Sequence, residues 1–230
     1  MNVIITGASK GIGREVARQI VSAGEHRVIA IARTEEKLNS LAEELPHPDH
    51  LIPLVFDLRQ GDYDQLAVSI RKHFSEVHAL INNAGALVNK KVSQLDAGDI
   101  DLMMDVNLKA PFLMIQSLIP LFEPDAHIVN IGSMGGFQGS AKFPGLSVYS
   151  ASKGALAILS ECLAEELKDY KISVNCLALG AAQTEMLSEA FPGYKAPLTA
   201  AEMAAFIADF TLNGHRYFNG KILPISLSTP

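Results

Sequence analysis

The sequence predicts a doubly wound α/β fold, a parallel sheet of seven strands with helices on both faces. Three observations carry this. Short apolar runs alternate with longer amphipathic stretches along the chain. The early runs are almost continuously hydrophobic, as strands covered on both faces must be. A glycine-rich turn separates the first apolar run from the first helical pattern. Strand–helix alternation of this kind implies right-handed crossovers between parallel strands.

The elements follow in order. "NVIITG" (2–7) is the first strand and a helix follows near 11–23. "RVIAIAR" (27–33) and "LIPLVFD" (51–57) are the second and third strands, with a helix near 35–45 between them and another near 62–74 after them. "VHALINN" (77–83) leads into a helical region over 97–122 that contains an interruption. "HIVNIGS" (127–133) precedes a helix at 148–168, "ISVNCLAL" (172–179) precedes one at 200–211, and "KILPISL" (221–227) is the last strand. Two stretches, 134–147 and 184–199, fit neither pattern, and both follow predicted strand ends. In open α/β sheets ligands bind outside the carboxyl ends of strands, so these loops are expected to wall the substrate site. No internal repeat, linker or low-complexity segment divides 1–230, which is read as one domain with a sizeable core.

Composition narrows the function classes. Lys and Arg number 19 against 25 Asp and Glu, a net charge of -6, with no basic tail or run, so nucleic acid is not an expected partner. The two cysteines, Cys162 and Cys176, sit in apolar segments and read as buried thiols in a reducing compartment. The seven histidines are scattered, and no metal-ligand cluster is present. No signal peptide is expected at "MNVIITG", and no apolar run reaches the roughly 18 residues of a membrane span. The cytoplasm, with no membrane partner, is the expected location.

"TGASKGIG" (6–13) places Gly7, Gly11 and Gly13 where a backbone must turn tightly and a helix must pack close. The N–H groups opening that helix suit a pyrophosphate. An acidic residue about 20 positions further on would bond the adenosine ribose of NAD. The second strand ends instead in Ala32-Arg33, and an arginine there can meet a 2′-phosphate. Lys10 offers a second positive charge and Arg14 a third. NADP(H) is therefore expected over NAD(H).

In "YSASKGALA" (149–157), Tyr149 and Lys153 stand four apart and share a helix face. A nearby ammonium pulls a phenol's pKa down, and a phenol titrating near neutrality can give or take a proton. The spacing alone is common among surface residues. Its company is not: Ser133 ends the fifth strand, "INNAG" (81–85) ends the fourth, and Asn107 sits inside a helical region.

Taken in order, T-G-x-x-x-G-x-G, N-N-A-G, Gly-Ser at a strand end and Y-x-x-x-K resemble the short-chain dehydrogenase/reductase family, of the compact single-domain kind, over nearly the whole chain. The resemblance implies a seven-stranded parallel Rossmann-type sheet and carbonyl–alcohol interconversion by hydride transfer. It implies that Tyr149 gives the proton, that Lys153 lowers its pKa and holds the nicotinamide ribose, and that Ser133 bonds the carbonyl oxygen. Asn107 would hold a water linking Lys153 to solvent. Gly7, Ser9, Lys10, Gly11, Ile12 and Gly13 would line the cofactor turn. Asp57 and Leu58 would meet the adenine, and Asn83, Ala84 and Gly85 the adenosine ribose. Gly180 and Thr184 would meet the nicotinamide end. A homodimer or homotetramer is implied too, with Leu156, Leu159 and Leu163 as candidate contacts that an intramolecular core would explain equally well.

The chain departs from the family where Leu179-Gly180 replaces the usual Pro-Gly, from which a looser cofactor loop is expected. "LPISLS" (223–228) lacks the common Asp-Gly-Gly ending, which leaves the assembly open. A small or medium carbonyl compound is the expected substrate, with Phe137, Phe143 and Met186 giving apolar contact. A 3-oxoacyl-[acyl-carrier-protein] reductase is the alternative. It needs basic residues at the mouth, whereas "FEPDAH" (122–127), on the approach to the fifth strand, is acidic. A non-catalytic NADP-sensing protein is the alternative of another class, but all four catalytic side chains remain. An extended-type epimerase would need a further C-terminal domain.

Overall fold

In a computed structural model describing residues 1–227, the seven predicted strands form one parallel sheet. In chain order the elements are β1 (Asn2–Thr6), α1 (Gly11–Ser22), β2 (Arg27–Ala32), α2 (Glu35–Glu43), β3 (Leu51–Val55), α3 (Tyr63–Arg71), β4 (Val77–Asn82), α4 (Ala97–Met104), α5 (Ala110–Leu118), β5 (Phe122–Ile131), α6 (Ser147–Glu166), β6 (Ser173–Leu179), β7 (Ala182–Gln183), α7 (Glu185–Ala190), β8 (Leu198–Thr199), α8 (Ala200–Asn213) and β9 (Ile222–Ile225). The sheet order is β3-β2-β1-β4-β5-β6-β9. The chain winds one way from β1 to β3, returns to the centre at β4, and winds the other way to β9. The reversal between β1 and β4 opens a crevice at their carboxyl ends.

Alternation within each strand divides the core into two layers. Val3, Ile5, Val28, Ala30, Ala79 and Ile81 pack with Val16 and Ile20 of α1 and Ile207 of α8. Ile4, Ile29, Ile31 and Leu80 pack with Ile70 of α3, Met114 of α5 and Leu163 of α6. Both faces are covered, so a strand such as "NVIIT" can hardly hold a polar residue before its end. The edge strands carry prolines, Pro53 in β3 and Pro224 in β9. Proline cannot donate to a ladder, and at an edge this blocks pairing with another chain.

The structure departs from the sequence reading in several places. β5 begins at Phe122 rather than 127, with a register shift against β4 between Val77 and Ala79. Asp125, at φ 69, has left-handed backbone inside that irregular start. The segment 184–199 is partly regular, because α7 stands between β7 and β8, which pair with each other. The interruption in the 97–122 helix is a π-helical turn, Asp105–Lys109. The joined stretch Ala97–Leu121, at mean hydropathy 1.2, is long and apolar enough for a membrane span by composition. Its Met103, Met114, Ile115 and Leu118 are spent on the protein's own core. Leu156, Leu159 and Leu163 likewise pack inward. Cys176 is buried as expected, but Cys162 is exposed.

His127, 1% exposed, is a buried base within β5. Its Nδ1 donates to the Thr211 carbonyl at 3.0 Å, and its Nε2 accepts from Asn175 Nδ2 at 2.9 Å. Burial pushes its pKa down to about 4. Between about pH 6.5, the unfolded value, and 4, the unfolded chain binds the extra proton. Stability should therefore fall as pH drops through that window, by up to about 3 kcal/mol. Urea titrations between these pH values should show this loss. His127→Phe should flatten it while lowering stability at every pH, because one N–H of Asn175 and the Thr211 carbonyl each lose a partner.

Candidate active site

The crevice is closed at its base by backbone contact. Gly7 ends β1 at φ +69, and a Cβ there would lie 2.8 Å from Ala84 Cα. At Gly13 a Cβ would meet Asn83 Nδ2 and, at 2.5 Å, the Gly7 carbonyl. Thr6 Oγ1 accepts from the Asn83 and Ala84 N–H groups, each at 3.1 Å. Asn83 Nδ2 donates back to Thr6 O at 3.0 Å and Gly7 O at 3.2 Å. Thr6 was not singled out from sequence; a hydroxyl ending an apolar strand was the available signal.

The residues present fit a dinucleotide. α3, α4 and α8 begin with side chains capping their first N–H groups. α1 has no such cap and no acid in its first turn, which leaves the N–H groups around Gly11 and Ile12 to a ligand. Ser9 and Lys10 complete the turn. Arg33 is exposed at the end of β2, with no hydrogen bond or ion pair among the described residues. Lys10 Nζ lies 3.9 Å from Glu189, both largely exposed. Arg14 does not join them: its guanidinium donates to Lys37 O at 2.9 Å and Glu44 Oε1 at 2.7 Å, tying α1 to α2. Asp57 Oδ1 accepts from Arg59 N at 2.9 Å, and Leu58 O accepts from the Tyr63 hydroxyl at 2.6 Å, so the turn after β3 is fixed.

Across the glycine turn, Thr184 caps α7, and its methyl lies 3.4 Å from where a Gly11 Cβ would be. Beside them lies a hollow of about 600 Å³ lined by Gly11, Arg14, Glu15, Thr184, Ser188 and Glu189, with none of the four candidate catalytic side chains in its wall. The looser loop expected at Leu179-Gly180 is not found: Leu179 pairs with Ile225, and Gly180 N donates to Ile225 O at 2.8 Å.

Ser133 follows β5 and its Oγ accepts from Gly135 N at 3.1 Å. Tyr149, in the first turn of α6, is near enough for Ser133 to pull its phenol pKa down against the effect of burial. α6 lies close because a Cβ at Gly136 would stand 2.5 Å from Gly154 N. One turn on, Lys153 is 4% exposed, and its Nζ donates to Ile131 O at 2.7 Å. Burial pushes its pKa down to about 8. The expected lowering of the Tyr149 pKa by Lys153 is not found. Burial pushes that phenol up, and the nearby Ser133 side chain opposes it. The lysine's partner is the strand carbonyl instead.

Asn107 sits in the π-helical turn, fully buried. Its Oδ1 accepts from Ala86 N and its Nδ2 donates to Ala86 O, both at 2.8 Å, and Nδ2 also reaches Ser152 Oγ at 2.9 Å. The amide thus clamps the loop after β4, a structural reason the sequence did not disclose. A Cβ at Gly85 would lie 3.4 Å from Asn107 Oδ1 and 3.6 Å from Lys153 Nζ. Glycine there leaves open space between the two.

A second hollow of about 300 Å³ is lined by Phe137, Gln138, Lys142, Phe143 and Ser150. Met186 lies apart from it, in α7. "FEPDAH" does not border the mouth. It opens β5, whereas Ser133 follows the other end of that strand, about 30 Å away at 3.3 Å per residue. Lys168 and Lys171 precede β6 and are equally remote.

Residues 1–195 match the short chain dehydrogenase family model. An L-xylulose reductase of Caenorhabditis elegans is 35% identical over 188 residues, 80% of this chain and 72% of that one. An NADPH-dependent pterin aldehyde reductase of Arabidopsis thaliana is 34% identical over 211 residues, 88% of this chain and 85% of that one. A solved Escherichia coli CFT073 protein complexed with NADPH superposes at TM-score 0.87 and 28% identity, covering 97% of this chain and 95% of that one.

Lys153 makes the site costly. Its folded pKa of about 8 lies below the unfolded value of about 10.4, so the penalty is fully present at neutral pH and is relieved as pH rises through that window. Lys153→Met should raise the melting temperature at pH 7, by the equivalent of about 1–3 kcal/mol, while abolishing activity. Thermal melts of the two proteins check this.

Proposed function

We propose that this chain, which belongs to the short-chain dehydrogenase family and is an oxidoreductase, reduces small or medium carbonyl compounds with NADPH. The observation that carries the reading is the placement of Ser133, at the end of β5, beside the turn of α6 that carries Tyr149 and buried Lys153, whose Nζ is held by Ile131 O. The bound nicotinamide cofactor supplies the hydride. Tyr149 gives its proton to the carbonyl oxygen, and Ser133 Oγ donates a hydrogen bond to that oxygen as charge develops. The Lys153 ammonium, steadied by Ile131 O, holds the nicotinamide ribose. A water between Lys153 Nζ and the second lone pair of Asn107 Oδ1, in the gap beside Gly85, returns the proton.

Arg33 and Lys10 take the 2′-phosphate, which favours NADP(H) over NAD(H). Ser9, Gly11 and Ile12 hold the pyrophosphate, Asp57 and Leu58 the adenine, Asn83 to Gly85 the ribose, and Gly180 with Thr184 the nicotinamide end. An acyl-carrier-protein substrate is less well supported. Lys90 is bound to Asp99 at 2.6 Å and Lys142 to Phe137 O at 2.7 Å, so two lysines of the loops near the site are already engaged. The work is placed in the cytoplasm. A homodimer or homotetramer is supported by Ile100, Phe112 and Ile158, exposed on α4, α5 and α6.

NADPH consumption against ketoses, aldehydes and 3-oxoacyl thioesters tests the reading. Tyr149→Phe should cost about 100- to 10,000-fold in kcat; a loss within about tenfold would remove Tyr149 as the proton donor. No turnover of any carbonyl, with cofactor still bound, would favour a sensing protein. In a fluorescence titration Arg33→Ala should weaken NADPH by roughly 10- to 100-fold and leave NADH nearly unchanged. Equal loss for both cofactors would take the phosphate away from Arg33.

A further inference from the structure

We infer that Asn89 is a positioning residue that pins the segment 184–197 against the rest of the cleft and thereby sets substrate affinity. The inference rests on the carbonyl-reductase reading. Asn89 lies in the loop after β4. Its Nδ2 donates to Ala190 O, at the end of α7, at 2.9 Å. Its Oδ1 lies over Gly145, near the end of the loop after β5. A Cβ on Gly145, whose φ is +86, would collide with that oxygen. The next residue repeats the link through its backbone, Lys90 N donating to Gly145 O at 3.1 Å. Lys90 Nζ anchors the pair to Asp99 of α4 at 2.6 Å.

One dipeptide therefore joins the loops that leave the carboxyl ends of β4, β5 and β6. The first of these runs into the Asn107 clamp, the second carries Ser133, and the third carries Thr184. Among the described residues, the other hydrogen bonds of 185–197 stay within that segment or run to Gln183 and Thr184. The remaining tie to the body, Glu189 to Lys10 at 3.9 Å, is on the cofactor side and is largely exposed. On the substrate side the position of α7 depends on the Asn89 amide. Freed from it, the segment samples open positions, and substrate must pay to close it.

The test uses Asn89→Asp, which keeps the shape but removes the donor, with Asn89→Ala and the donor-retaining Asn89→Gln. Loss of one hydrogen bond should speed amide exchange across 186–194 about fivefold in the Asp and Ala variants. It should raise KM for the carbonyl substrate by a similar factor, with kcat and the NADPH dissociation constant within about twofold of the parent. Asn89→Gln should recover much of both. Unchanged exchange in 186–194, a fall in kcat at constant KM, or faster exchange everywhere would overturn the assignment. If no carbonyl is turned over, the reductase reading fails, and the exchange rates still decide the pin.

Discussion

Two backbone turns meet where the strand order reverses, and the site is laid out from that contact. Gly7 comes so near Ala84 that neither the turn after β1 nor the turn after β4 can shift without the other. Thr6 fixes the pair by accepting two N–H groups with one hydroxyl, and Asn83 returns two hydrogen bonds. An unmade bond in this buried place costs more than a made one gains, so the arrangement is close to all-or-none. From it follow the direction of α1, the exposure of its uncapped N-terminus, and the position of Gly85 between Asn107 and Lys153.

The catalytic side is built against the protein's own stability. Two polar groups, a phenol and an ammonium, are drawn into an apolar helix packing, and burial opposes the charged form of each. What holds them is the close crossing of α6 over Gly136, the Ile131 carbonyl, and a row of buried hydroxyls on α6. Ser152 receives the Asn107 amide, and Ser160 receives that of Asn130, whose own oxygen accepts from Asn82. Removing the charge should relieve the fold, and the function explains why it stays.

Most of the fold could be read from sequence because strands covered on both faces leave long apolar runs, and the glycine turn marks where the first helix begins. The misses have physical causes. "FEPDA" breaks the apolar run, so β5 looked shorter than it is, and its acids were assigned to the wrong end of the sheet. α7 and its flanking strands are too short and too exposed to leave a period. Among candidate site residues, Asn107, Ser133, Tyr149 and Lys153 stood out by order and spacing. Their partners did not, because Ser152, which meets Asn107, looks like any small polar residue, and a carbonyl such as that of Ile131, which meets Lys153, has no letter of its own. The spacing revealed the ammonium but not that its hydrogen bond goes to the Ile131 carbonyl.

The two sides of the cleft are made by different means, and this decides how far sequence can speak. The cofactor side is shaped by backbones in contact, where a single added methyl at Gly7 or Gly13 would force the turns apart. Such positions tolerate one residue type, so they can be recognised in any chain that keeps the geometry. The substrate side is shaped by three loops held by a few side-chain bonds, several of them exposed. Exposed single bonds are individually weak and can be replaced by many residue types. The same fold can therefore retain one hydride chemistry while its substrate changes, and the substrate must be sought in how those loops are fastened.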